Sequence, residues 1–178
     1  MSAIGANIPN ILTAIRLLLV PVFGVLVYGN HFLAAAIVFL IASFTDAADG
    51  YIARKLNLIS EFGKFFDPLA DKLLSLTAVF MLAFQGRIYW LIPALILLKD
   101  LVIGVGGLLL YKKKHIIKKS KWYGKIATLM FFVSILLCMF EETLNIGTVF
   151  LWVTVGFSIF ACVMYAVLYS NIKHNKER

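Results

Sequence analysis

Charged residues are scarce in this chain. Lys, Arg, Asp and Glu together make up 15% of its 178 residues, whereas 62% of the residues are hydrophobic. Soluble domains carry about 25% charged residues, so this composition indicates a membrane protein. Cysteine is also rare: Cys138 and Cys162 each lie alone in an apolar segment. Two isolated cysteines form no redox or metal-binding motif, and we expect both to be packing residues.

Two further patterns are missing. The three histidines, His31, His115 and His174, have no metal-ligand spacing, which argues against a histidine metal site. The chain also has no internal repeat, which argues against transporters that are built from repeated halves.

Apolar segments account for most of the chain. Each is long enough to cross a bilayer, which takes about 20 residues. We place the segments at 10–29, 32–53, 62–85, 88–111, 122–140 and 146–170. The sequence therefore predicts an all-α integral membrane protein with six transmembrane helices, in which residues 1–178 form a single domain.

Basic residues concentrate at one end of the predicted helices. Seven lysines between Lys112 and Lys125 surround the fourth connection, and Arg54, Lys55 and Lys64 flank the second. The opposite ends carry only Arg87. By the positive-inside rule, both termini and the second and fourth connections are expected in the cytoplasm.

Four aspartates interrupt the apolar pattern around the second connection. Asp46 and Asp49 are three residues apart, and Asp67 and Asp71 are four apart, so each pair shares one face of a helix. Carboxylates that converge in a poorly solvated place repel one another unless a cation lies between them. Hard divalent cations prefer oxygen ligands, and Mg²⁺ often coordinates substrate phosphate as well. The cluster therefore predicts a metal site that handles phosphate.

Residues near the aspartates suit a phosphate ligand. Gly50 and Gly63 allow close approach to the backbone, and Arg54 offers a planar fork for phosphate. An alternative from another functional class is a cation transporter that uses the carboxylates as its ion path. That alternative gives no role to the two glycines or to Arg54.

The spacing carries a resemblance to a known family. The run Asp46-x-x-Asp49-Gly50-x-x-Ala53-Arg54, eight residues, Gly63-x-x-x-Asp67-x-x-x-Asp71 resembles the signature of the CDP-alcohol phosphatidyltransferases. The resemblance implies transfer of a phosphatidyl group from a CDP-linked lipid to an acceptor hydroxyl, with release of CMP. It also implies that the four aspartates bind two divalent cations, Mg²⁺ or Mn²⁺, and that Asp71 is the general base. The residues implied to surround the CDP-lipid are Gly50, Ala53, Arg54 and Gly63.

Other segments resemble one branch of that family. The runs 7–16 and 55–64 and the stretch Gly124-Lys125-x-x-Thr128 resemble bacterial enzymes that transfer the group from CDP-diacylglycerol to sn-glycerol 3-phosphate. The acceptor phosphate needs a cationic pocket, for which we predict Lys125 and also Lys119. Acceptors that stay open are phosphatidylglycerol, as in cardiolipin synthesis, and other alcohols.

The remaining expectations concern partners and the fourth helix. We expect membrane lipids as partners and no nucleic acid, and the resemblance implies a homodimer. Lys112, Lys113 and Lys114 are expected to attract anionic lipid.

Lys99 and Asp100 are costly inside a membrane unless they are paired or face a cavity. Since sequence neighbours point to different sides of a helix, we expect these two not to pair with each other.

Overall fold

The computed structural model describes the backbone of residues 3–55, 61–112 and 122–174, and the side chains of residues 12–45, 69–102, 104, 126–160 and 163. Within these ranges the chain is helical and contains no strand, which confirms the all-α prediction there. The α-helices are α1 (Ala3–Tyr28), α2 (Phe32–Lys55), α3 (Glu61–Phe84), α4 (Leu91–Lys112), α5 (Trp122–Cys138) and α6 (Leu144–His174). A 3-10 turn, Glu141–Thr143, precedes α6.

The helices follow the predicted apolar segments closely. Two ends differ by four residues or more: α1 begins at Ala3 rather than at residue 10, and α6 continues to His174 rather than ending at residue 170. Pro9 lies inside α1, where a proline removes one helical hydrogen bond without ending the helix. Neither proline nor glycine follows Gly156 within α6, so its polar last turn stays helical.

Residues Met1–Arg87 form one compact unit in which α1 packs against both α2 and α3. The Phe23 and Phe39 ring centroids are 5.7 Å apart, across the hairpin that joins α1 to α2. A Cβ at Gly24 would lie 3.6 Å from Thr77 Cγ2. Farther along both helices, the Tyr28 and Phe84 ring centroids are 6.1 Å apart. Because the contact of Gly24 with Thr77 is followed by that of Tyr28 with Phe84, α1 and α3 run in the same direction. The core between the helices includes Phe23, Val27, Ala35, Phe39, Ala42, Leu74, Ala78 and Leu82.

Helices α1 and α3 end in the same way, with a left-handed residue just past the last turn. Asn30 has φ 59° after α1, and Gly86 has φ 70° after α3. The His31 amide donates to the Leu26 carbonyl at 2.9 Å, and the Arg87 amide donates to the Leu82 carbonyl at 2.9 Å. This is the Schellman hydrogen-bonding pattern, for which glycine and asparagine are best suited. Both helices therefore stop at one end of the unit, and the aspartate-bearing segments lie at the other.

Residues Ile88–Arg178 form a second compact unit, in which α6 packs against α5 and α4. Its buried residues include Ile92, Ile96, Ile135, Met139, Leu151 and Val155. Thr143 Oγ1 donates to the Leu137 carbonyl at 2.8 Å and thereby satisfies one of the last carbonyls of α5. The division into two units does not test the prediction of a single domain over 1–178, which stays a prediction.

One helix within the described residues, Glu141–Phe160, is long and apolar enough to cross a membrane. Shorter apolar helices cover Leu12–Tyr28, Phe32–Thr45 and Ile126–Cys138. Six spanning helices therefore stay a prediction. Large apolar side chains are nonetheless exposed on several helices, among them Leu18, Val25, Phe44, Leu129 and Val149.

Candidate active site

The aspartates lie on the second half of α2 and the first half of α3. Helix α2 continues beyond Phe44 to Lys55, so Asp46 and Asp49 are within it. Helix α3 begins at Glu61, so Asp67 and Asp71 are within its first three turns. The helical spacing assumed for each pair therefore holds. Both pairs are at the end of the Met1–Arg87 unit that lies opposite to the Schellman turns.

Asp71 is the predicted metal ligand whose side chain the structure describes. It is half-buried, and Ser75 Oγ donates to its backbone carbonyl at 2.8 Å. The other signature residues lie in α2 or α3, with side chains outside the described set: Asp46, Asp49, Gly50, Ala53, Arg54, Gly63 and Asp67. Among the side chains that are described, no three or more of His, Cys, Asp and Glu come together. The metal and CDP-lipid assignments therefore stay predictions.

Helical register extends the buried faces of α2 and α3 to the aspartates. On α2 the buried positions Ala35, Phe39 and Ala42 are spaced by four and three residues, and the same rhythm continues to positions 46 and 49. On α3 the buried positions Leu82, Ala78 and Ser75 lead by the same rhythm to position 71. Residues at these spacings share one helix face. Positions 46 and 71 thus fall on the faces that carry the core of the unit.

The buried face of α1 includes a charged residue in the part of the helix that lies toward the aspartates. Val27 and Phe23 are wholly buried, and so are Arg16 and Thr13 at positions that continue the same helical face. From the sequence, Arg16 has no predicted role beyond its place in the run 7–16. A signal for it was nevertheless present, because Arg16 is the one charged residue between positions 12 and 28. Ionisable residues in apolar segments usually have a function.

The two predicted acceptor lysines are less completely described. Lys125 lies in the first turn of α5, with its side chain outside the described set. Lys119 falls within 113–121, which is outside the described residues. Their assignment to the acceptor phosphate therefore stays a prediction from the sequence.

The expectation about Lys99 and Asp100 was wrong. They were expected not to pair, yet Lys99 Nζ lies 2.9 Å from Asp100 Oδ1. The lysine stem has four flexible carbons, which allow its ammonium to reach around the helix to the next residue. Both side chains are largely buried, so an ion pair costs less than two separate charges.

Comparison with known proteins extends these observations. A sequence model of the CDP-alcohol phosphatidyltransferase family matches residues 6–160. Three similar proteins are each named CDP-diacylglycerol–glycerol-3-phosphate 3-phosphatidyltransferase. The one from Rickettsia felis is 37% identical over 178 residues, which cover 91% of this chain and 98% of the relative. The one from Aquifex aeolicus is 36% identical over 132 residues, covering 73% of this chain and 74% of the relative.

The third, from Rickettsia prowazekii, is 44% identical over 103 residues. That match covers 56% of this chain and 57% of the relative.

Proposed function

Because the chain belongs to the CDP-alcohol phosphatidyltransferase family, we infer that it transfers the phosphatidyl group of CDP-diacylglycerol to sn-glycerol 3-phosphate. The products are phosphatidylglycerophosphate and CMP, so the enzyme acts in phospholipid biosynthesis. The observation that carries this inference is the full Asp–Gly–Arg signature, which stands on two adjacent helices. Relatives named for this reaction match nearly the whole chain. The cation-transporter alternative is set aside, since these relatives are transferases.

The reaction exchanges one P–O bond for another. The acceptor hydroxyl oxygen forms a bond to the phosphorus that carries diacylglycerol, and the bond from that phosphorus to CMP breaks. The electron pair of the broken bond leaves with CMP, and a base must take the hydroxyl proton. We assign the proton to an Asp71 carboxylate oxygen, as the family resemblance implies. The half-buried position of Asp71 supports this role, since a substrate can reach a side chain that is not sealed in the core.

The donor set of the cluster fits a hard divalent cation. Between positions 46 and 71 the chain offers four aspartates and no cysteine or histidine, which favours Mg²⁺ or Mn²⁺ over softer metals. We propose that Asp46, Asp49, Asp67 and Asp71 hold two such ions. Bound there, the ions would offset the charge of the diphosphate and of the departing CMP. Gly50, Ala53, Arg54 and Gly63 are proposed to bind the CDP moiety, with the Arg54 guanidinium donating to phosphate oxygens.

Two lysines are proposed to select the acceptor. A dianionic phosphate on the acceptor needs cationic donors, and Lys125, with Lys119, is proposed to supply them. Lysine is a common phosphate ligand because its ammonium carries three donors.

The protein is proposed to cross the membrane six times, with both termini and the active site in the cytoplasm. The apolar composition, the exposed apolar side chains and the distribution of Lys and Arg support this arrangement. We also propose that the enzyme is a homodimer in contact with membrane lipids.

An acceptor screen tests the proposed function. Purified protein with CDP-diacylglycerol and Mg²⁺ or Mn²⁺ should release CMP when sn-glycerol 3-phosphate is added. Phosphatidylglycerol, inositol phosphate and serine should give no release above background. Turnover with phosphatidylglycerol in place of glycerol 3-phosphate would keep the family chemistry and overturn the acceptor assignment. CMP release that needs no acceptor would indicate a hydrolase.

A further inference from the structure

Arg16 lies at the same depth as Asp46 in the Met1–Arg87 unit. The two phenylalanines Phe23 and Phe39 mark a common level of α1 and α2, since their ring centroids are 5.7 Å apart. Arg16 precedes Phe23 by seven residues, and Asp46 follows Phe39 by seven. Helices α1 and α2 run in opposite directions. Both intervals therefore correspond to about 10 Å toward the same end of the unit, the one opposite to the Schellman turns.

The third helix reaches that depth at Asp71. Gly24 of α1 lies against Thr77 of α3, and these helices run in the same direction. Arg16 precedes Gly24 by eight residues, which is about 12 Å along α1. Asp71 precedes Thr77 by six residues, which is about 9 Å along α3. The difference is less than one helical turn, which is about 5 Å.

The burial of Arg16 demands a counter-charge nearby. An arginine side chain carries a positive charge, and that of Arg16 is wholly buried. A buried charge is strongly destabilising unless an opposite charge balances it. The sequence of Met1–Arg87 contains five acidic residues, and all of them fall between positions 46 and 71. Within this unit, the segment with the aspartate cluster is therefore the sole source of negative side-chain charge.

We propose that Arg16 is a positioning residue of the active site, a fixed cation that balances the aspartate cluster and holds the carboxylates of α2 and α3 together before divalent cations bind. This role rests on the proposed function insofar as the same carboxylates bind the metals. Arg16 and the metals then neutralise the same negative charges. Removing the guanidinium should therefore make the folded state depend more strongly on metal.

Metal-linked stability separates this role from simple packing. The melting temperature of the full-length chain in detergent is measured after chelation and again with excess Mn²⁺, without substrate. Arg16→Met should lower the metal-free melting temperature and show a larger rise on addition of Mn²⁺ than the wild type shows. Arg16→Lys, which keeps the charge, should show a rise close to that of the wild type. The matched control is Phe23→Ala, which weakens the same face of α1 without changing its charge and should leave the rise unchanged.

Equal Mn²⁺-induced rises in Arg16→Met, Phe23→Ala and the wild type would overturn the proposal and leave Arg16 a packing residue. An unchanged rise together with an increased KM for CDP-diacylglycerol would also overturn it, because Arg16 would then be a substrate ligand. No turnover enters the melting measurement. Failure of the Arg16 role is therefore distinguishable from failure of the proposed reaction.

A double variant covers the case in which Arg16→Met does not fold. Asp46→Asn removes one negative charge at the depth of Arg16, so Arg16→Met/Asp46→Asn should recover metal-free folded protein. If the double variant also yields no folded protein in the absence of metal, the charge balance is contradicted.

Discussion

Gln85 Nε2 donates to the Val27 carbonyl at 2.7 Å and to the Tyr28 carbonyl at 3.0 Å. The Gln85 side chain, which follows α3, thereby donates to two of the last carbonyls of α1, and the Val27 carbonyl also accepts from the Asn30 amide at 3.0 Å. This contact fixes the end of α1 relative to α3 at the side of the unit away from the aspartates. The register of α1 relative to α3 is therefore held partly by one amide.

Replacing that amide should destabilise the Met1–Arg87 unit. Gln85→Leu removes both side-chain hydrogen bonds, leaving the Val27 carbonyl with the Asn30 amide as donor, and should cost about 1–2 kcal/mol. Gln85→Glu should cost at least as much, since a carboxylate would face the negative end of α1. Gln85→Lys keeps a donor and should retain most of the stability. Thermal unfolding in detergent provides the ranking; a Gln85→Glu variant as stable as the wild type would show that the contact is unimportant.

Gly147 contributes to the other unit through close backbone contact. A Cβ at this position would lie 2.7 Å from Cys138 N and 2.8 Å from the Leu137 carbonyl carbon. Gly147→Ala must therefore push α6 away from the end of α5, at a cost of about 1–3 kcal/mol. Gly156→Ala is the matched control in the same helix, because nothing lies within 4 Å of its added Cβ. The control should be neutral or stabilising by about 0.5–1 kcal/mol, and equal effects of the two substitutions on the melting temperature would refute the packing argument.

The Lys99–Asp100 ion pair predicts coupled effects of substitution. Lys99→Met or Asp100→Asn alone leaves one largely buried charge without this partner, whereas the double variant removes both charges. The double variant should therefore lose less stability than the sum of the single variants, by about 0.5–3 kcal/mol. A double-mutant cycle on the free energy of unfolding measures this difference. Strictly additive effects would mean that the contact contributes nothing.

The outcome at Lys99 and Asp100 shows where sequence reasoning stops. Apolar segments of bilayer length predicted each helix, because hydropathy alone determines where such a segment can form. The signature predicts which residues bind the metals and the CDP-lipid, and that assignment stays a prediction. Pairing of Lys99 with Asp100 depends on the conformation of a flexible side chain, and burial of Arg16 depends on which face of α1 meets α2 and α3. Neither property is encoded in spacing along the chain.

Lys125 should control the affinity for the acceptor. Lys125→Ala removes the proposed charge-assisted hydrogen bond to the acceptor phosphate, and a bond of this kind is worth about 1.5–3 kcal/mol. The KM for sn-glycerol 3-phosphate should rise by about tenfold or more, while the KM for CDP-diacylglycerol stays close to that of the wild type. Lys112→Ala is the control from the same basic region and should leave both constants nearly unchanged. An equal increase of both KM values in Lys125→Ala would move this lysine away from the acceptor.

The aspartate cluster should be indispensable for turnover. Asp49→Asn keeps the size of the side chain and removes its negative charge, so it should abolish activity even at saturating Mg²⁺ or Mn²⁺. Metal titrations of CMP release for the variant and the wild type provide the comparison. Recovery of wild-type turnover at high metal concentration would mean that Asp49 tunes affinity for the ion and is not required for the reaction.

The proposed reaction joins the two substrates and does not merely cleave one of them. The direct measurement is the molar ratio of phosphatidylglycerophosphate to CMP, determined by mass spectrometry from purified enzyme, CDP-diacylglycerol, glycerol 3-phosphate and Mg²⁺. The proposed transfer predicts one lipid product for each CMP, and neither product from Asp49→Asn. CMP accompanied by phosphatidic acid, or a lipid product from an acceptor other than glycerol 3-phosphate, would contradict it.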